Sequence, residues 1–211
     1  MEEKELPTST FLNLCKEKKQ RIMEAALDEF AQHSYDDSNI SRIVKQAGIP
    51  RGSFYQYFED KEDLYLYVIS IIAEEKKKLL FPAQKKLENK PFFEIYKGIY
   101  IKGLEFAQKH PQYAQIAHLM VSRPNEAIKE KIYDKGSKEC DVVFSSLIEK
   151  AILRGELKEG INSDLLSRVL TAISMNVFQG YLEEWEGHNY EQLFSIIDEV
   201  ICMLEYGIKQ Q

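Results

Sequence analysis

Arg51, Gly52, Ser53, Tyr55, Gln56 and Tyr57 bring a guanidinium, a carboxamide, three hydroxyls and one residue without a Cβ into the stretch IPRGSFYQYFEDK, residues 49 to 61. At this spacing the groups suggest hydrogen-bond donation rather than covalent chemistry. Tyrosine and serine hydroxyls can donate to phosphate oxygens, while arginine can bond O6 and N7 of guanine and glutamine N6 and N7 of adenine, each with two hydrogen bonds. From Ser38 to Phe58 the basic residues Arg42, Lys45 and Arg51 meet no Asp or Glu, in a chain of 211 residues that carries 34 acids and a net charge of −6. A carboxylate there would face phosphates, so its absence fits a local contact surface on a protein too acidic to coat nucleic acid indiscriminately. A second basic run, KEKKQR at residues 16 to 21, is open to two readings, steering toward phosphates or a solvated helix face.

Other chemistries find no constellation. His33, His110, His118 and His188 are scattered, no HExxH or cysteine–histidine ligand spacing occurs, and neither a GxSxG elbow nor a glycine-rich phosphate loop is present. No enzyme activity, metal or cofactor is expected. Cys15, Cys140 and Cys202 are odd in number and far apart, which argues against a disulfide framework and suits a reducing cytosol. The amino terminus MEEKELPTST is acidic and polar, and the longest nearly unbroken apolar run, Leu66 to Ala73, falls short of the roughly 20 residues of a membrane span. A cytoplasmic protein without a membrane partner is expected.

The elements that must position the donors read as helices throughout. Ile22, Ala25, Ala26 and Phe30 form the apolar stripe of a first helix from Lys16 to about His33. Ile40, Ile43, Val44 and Ala47 make a second, with Ser38 expected as its N-cap and Gly48 as its left-handed stop. Pro50 then opens a third helix to Phe58, on which Phe54 and Phe58 share the anchoring side, and Asp60 with Asp63 caps a fourth. Beyond residue 80 the spacing predicts helices over 92–109, 112–121, 125–154 with a possible interruption at Gly136, 162–184 and 190–209, and no sheet. Two short helices joined by a glycine turn, with a supporting helix before them, make a helix-turn-helix.

The run from Ser38 to Leu64, with AGI, RGSFYQYF and DKEDL in order, resembles the amino-terminal domain of TetR-type transcriptional regulators. The resemblance implies an all-α chain. A three-helix DNA-binding domain, residues 1–62, would be followed by a larger effector-binding and dimerisation domain, residues 63–211. It further implies a dimeric regulator, usually a repressor, that binds double-stranded operator DNA and is released by a small molecule. Carried over by position, Ser41 and Arg42 of the second helix and Arg51, Gly52, Ser53, Tyr55, Gln56 and Tyr57 of the third would face DNA, and Lys61 would touch phosphate. Pro50 stands where the family often has serine, and Tyr57 where histidine is common.

The effector domain offers rings and a few polar groups, the usual lining of small-molecule pockets, and Tyr96, Tyr100, His118, Asn176, Gln179 and Trp185 are its candidate liners. With no obvious buried charge, an apolar effector such as a fatty acyl compound or lipophilic drug is expected. Leu165, Leu166, Val169, Leu170, Ile173 and Val177 form one broad stripe on the penultimate helix. Leu193, Ile196, Ile197, Val200, Ile201 and Leu204 form another on the last, suiting a four-helix homodimer interface. The competing function is a ligand-binding or protein-interaction module that keeps the helix-turn-helix only as structure.

Overall fold

The computed structural model describes the backbone of residues 7–87, 90–183 and 190–208, and their side chains except at 80–87, 133–141, 143, 174–183, 190–194 and 208. Ten helices occur among the described residues, with no strand: α1 Ser9–Leu12, α2 Lys16–Gln32, α3 Ile40–Ala47, α4 Arg51–Tyr57, α5 Lys61–Leu87, α6 Phe92–Lys109, α7 Pro111–Ser122, α8 Glu126–Leu153, α9 Ser163–Glu183 and α10 Tyr190–Ile208. The all-α expectation holds. The predicted helices are present to within a few residues at their ends, and α8 runs through Gly136 without a break. The four-residue α1 was not anticipated.

Contacts divide the chain into two compact units, one of Met1–Glu75 with His110–Ile132, the other of Lys76–Lys109 with Tyr133–Gln211. This partition differs from a boundary at residue 62. The start of α5, all of α7 and the start of α8 pack with α1 to α4, because the core around Ile22, Phe30, Ile43, Phe54 and Phe58 is completed by Leu64, Val68, Ile116 and Ile128. Helices α1 to α4, three of them of eight residues or fewer, bury too little apolar surface alone, and the added side chains supply the missing contacts.

In the second unit, Tyr96 of α6 is 1% exposed and stacks on Phe92 at 6.3 Å, with Phe144 of α8 edge-on at 5.6 Å. The α9 and α10 stripes split between two environments. Leu166, Leu170, Ile197 and Ile201 are buried, while Leu165, Val169 and Ile196 are exposed and Ile173, Val200 and Leu204 lie between; off the stripe, Met203 and Tyr206 of α10 are exposed as well. Val177 and Leu193 are outside the described side chains.

Candidate nucleic-acid interface

The turn before α4 is set by local chemistry. Gly48 adopts φ 64° and ψ 40°, the left-handed conformation that a Cβ would strain, and Ile49 N–H closes on Val44 O at 3.0 Å. Buried Ile49 and Pro50 at φ −62° and ψ 144° then redirect the chain into the seven residues of α4. The N-cap of α3 is Asn39 rather than Ser38: Asn39 Oδ1 accepts from Ser41 N–H at 2.7 Å. Ser38 is instead buried and donates its hydroxyl to Tyr35 O at 2.6 Å.

Phe54 and Phe58 both face the core, fully buried, as their spacing predicts. Arg51, Gly52, Tyr55 and Gln56 face solvent, Ser53 is half-buried, and Ser41 of α3 lies exposed beside them. Arg51 joins the two helices by donating through Nη1 to Ser41 Oγ at 2.8 Å and through Nη2 to Tyr55 Oη at 3.4 Å. The Tyr55 ring is held edge-on against Phe54 at 5.3 Å. A Cβ built on Gly52 meets nothing within 4 Å, so the fold leaves open space there. The structure therefore assembles Ser41, Arg51, Gly52, Tyr55 and Gln56 on one solvent-facing surface.

Three expected surface contacts are otherwise engaged. Arg42 donates from Nε and Nη2 to the Glu29 carboxylate at 2.6–2.9 Å and from Nη2 to Asp37 O at 2.7 Å, because Glu29 is buried on the inner face of α2 and needs a cation. Burial pushes the Glu29 carboxyl up. The hydrogen bonds from Arg42 and from Asn39 N–H, with the Arg42 and His33 charges, outweigh that and hold its pKa below the ordinary value. Lys61 Nζ turns onto Tyr35 O at 2.5 Å, Ser38 O at 3.0 Å and Asp36 O at 3.4 Å, over the Tyr35 ring. Burial there lowers its pKa against the pull of Asp36, Glu29 and Asp37. Tyr57 is only 3% exposed, packs against Phe11 and lies under Lys18 Nζ at 5.5 Å, so its ring belongs to the core rather than to the outward surface.

The KEKKQR cations divide similarly: Lys18 covers Tyr57 and Lys19 donates to Leu12 O at 2.5 Å, whereas Lys16 and Arg21 are exposed. Glu29 escaped the sequence reading although a signal existed, a carboxylate within the apolar stripe of α2. Thr8 and Phe11 escaped as well, since four helical residues show no periodicity.

Among the candidate effector liners, Tyr96 and Tyr100 come together, hydroxyl to hydroxyl at 3.2 Å, with Tyr96 also donating to Leu170 O at 3.2 Å. His118 belongs to α7 in the other unit, its Nδ1 buried without a hydrogen-bond partner among the described residues. Trp185 and the side chains of Asn176 and Gln179 lie outside the described residues. Elsewhere, an open groove of about 500 Å³ lies between α8 and α9, lined by Val142, Ser145, Ser146, Glu149, Asp164, Ser167 and Arg168. No helix among the described residues is long and apolar enough to cross a membrane.

Residues 22–68 match the family of bacterial regulatory proteins named for tetR. Among curated proteins, the fatty acid metabolism regulator protein of Bacillus subtilis (strain 168) is 26% identical over 153 residues, which is 71% of this chain and 76% of that protein. FadR of Bacillus subtilis, solved in complex with stearoyl-CoA, shares the fold with a TM-score of 0.71 at 23% identity over 90% of this chain and 98% of that one. A TetR family transcriptional regulator from Chloroflexus aurantiacus J-10-fl is 30% identical, with a TM-score of 0.68 over 98% of this chain and 100% of its own. These relatives are regulators and not enzymes, and with a helix-turn-helix of matching residues the chain belongs to the TetR family of DNA-binding transcriptional regulators.

Proposed function

We propose that the chain is a dimeric repressor of the cytoplasm that reads a near-palindromic operator through α4 and is released by an apolar, acyl-bearing effector. The observation that carries this reading is the hydrogen-bonded set Ser41, Arg51 and Tyr55, displayed on an exposed surface whose sequence from Ser38 to Phe58 holds no carboxylate. Arg51 and Gln56 would read base edges, while Ser41, Ser53 and Tyr55 would donate to phosphates and Gly52 would admit the backbone of the duplex. Arg42 and Lys61 would brace that surface through Glu29 and the carbonyls of residues 35, 36 and 38, and Tyr57 would fill the core beneath it.

DNA contacts would fall within residues 1–62, and effector and dimer contacts within 63–211. The exposed Leu165, Val169, Ile196 and Met203 support α9 and α10 as the dimer interface, since a second copy would remove them from water. The fatty acid metabolism regulator among the relatives supports an acyl effector, and the Tyr96–Tyr100 hydroxyl pair would offer it a polar contact beside an aromatic cluster. Effector binding would shift the amino end of α5, favouring a geometry of the two reading helices that does not fit the operator.

Selection of bound duplexes from a random pool tests the reading. The expected product is a near-palindrome with half-sites about 34–36 Å apart, released by stearoyl-CoA and not by coenzyme A alone. Failure to enrich any sequence would remove the operator; enrichment without release would remove only the acyl effector.

A further inference from the structure

The reading helix is short and weakly finished at both ends. Pro50 supplies no side-chain cap, and the last carbonyls of a helix have no partners within it. In this chain two of those carbonyls are taken by one residue from far away in sequence: Thr8 Oγ1 donates to Gln56 O at 2.8 Å, and Thr8 N–H donates to Tyr57 O at 3.2 Å. The same hydroxyl accepts from Phe11 N–H at 3.4 Å as the N-cap of α1. Phe11, 1% exposed, then sits against Phe58 at 4.9 Å, Tyr57 at 6.0 Å and Tyr67 of α5 at 5.7 Å. Lys19 fastens the far end of α1 through Leu12 O.

We infer that Thr8 and Phe11 form a strap that orients the reading helix and so sharpens its discrimination between operator and other DNA, an inference that rests on α4 being the reader. Both residues precede the family match, which begins at residue 22. Its point of attachment is informative. Gln56 is an exposed candidate base reader, and the bond to its carbonyl fixes the backbone from which its carboxamide projects. Base-edge hydrogen bonds depend on angle and distance, whereas sequence-independent attraction to phosphates tolerates a small rotation of the helix. Thr8 is thus a positioning residue: its effect should fall on specific binding and leave non-specific binding alone.

The test compares Thr8→Val, which keeps the side-chain shape and removes the hydroxyl, with Thr8→Ser, which keeps the hydroxyl. Affinities of the full chain for the selected operator and for a random duplex are measured at equal distance below each variant's Tm. Expected is a loss of about tenfold on the operator for Thr8→Val, the scale of one hydrogen bond, with no change on the random duplex and recovery in Thr8→Ser. Wild-type operator affinity in Thr8→Val, an equal loss on both duplexes, or a loss that serine does not restore would each overturn the strap. Arg51→Ala separates this from failure of the underlying reading: if it too binds the operator as wild type, α4 is not the reader, and if it alone weakens binding, only the strap is lost.

Discussion

The outward faces of α4 and α10 differ in kind. On α4 the exposed side chains are a guanidinium, a carboxamide and a phenol, and on α10 they include Ile196, Met203 and Tyr206. Each helix keeps its opposite side in a core, through Phe54 on α4 and through Ile197 and Ile201 on α10. A polar outer face on a seven-residue helix costs little in water and suits a partner rich in acceptors. Exposed Ile196, Met203 and Tyr206, set among the exposed Asp198 and Glu199 of a 19-residue helix, leave hydrocarbon in water and suit a partner that can cover it. One acidic chain thus presents two unlike surfaces, and the proposed partners, a polyanion and a second copy of the chain, differ accordingly.

The contrast can be broken from either side. The largest effect is expected for Phe54→Ala, which empties the inner side of α4 and should cost about 3–5 kcal/mol in a urea unfolding experiment while abolishing operator binding. Next, Val169→Asp with Ile196→Asp should raise the dimer dissociation constant at least about a hundredfold, roughly 2.7 kcal/mol, in sedimentation equilibrium. Ile196 is 47% exposed and Ile197 2%, so Ile197→Asp should unfold the chain instead; the same outcome at both positions would erase the distinction between the faces. Arg51→Ala should weaken operator binding by about 1–3 kcal/mol with an unchanged Tm, and unchanged binding would remove the outer face of α4 from recognition.

A smaller effect should appear with pH at the α4 end alone. Glu29 has a folded-state pKa below its ordinary value, so its stabilisation is complete above the ordinary carboxylate range and is lost as pH falls through the lowered one. Glu29→Gln should flatten the acid limb of a Tm–pH curve, and a limb of unchanged slope would count against the Glu29–Arg42 brace.

The outer face of α4 was legible because it rests on local rules. Gly48 had to take the left-handed turn, Pro50 had to open a new helix, and Phe54 and Phe58 had to face the same way. The intramolecular partners of Arg42 and Lys61 were not legible in the sequence for a common reason: a long cationic side chain can reach solvent or fold back, and the choice depends on residues distant in sequence. Arg42 is drawn to Glu29, 13 positions earlier, and Lys61 to the carbonyls of residues 35, 36 and 38. The burial of Tyr57 was not legible because the partner that covers it, Phe11, lies in a helix too short to leave a periodic trace.

Periodicity and turn chemistry, both properties of neighbours along the chain, determined that this protein is helical, that it carries a helix-turn-helix, and which stretch bears the donors. Which cations remain outward, which half of each terminal stripe enters the core, and that residues 110–132 pack with the DNA-binding helices were decided by the tertiary structure. The physical reason is that burial and ion pairing are set by whatever arrives from elsewhere in the chain, and a helix wheel cannot show what arrives.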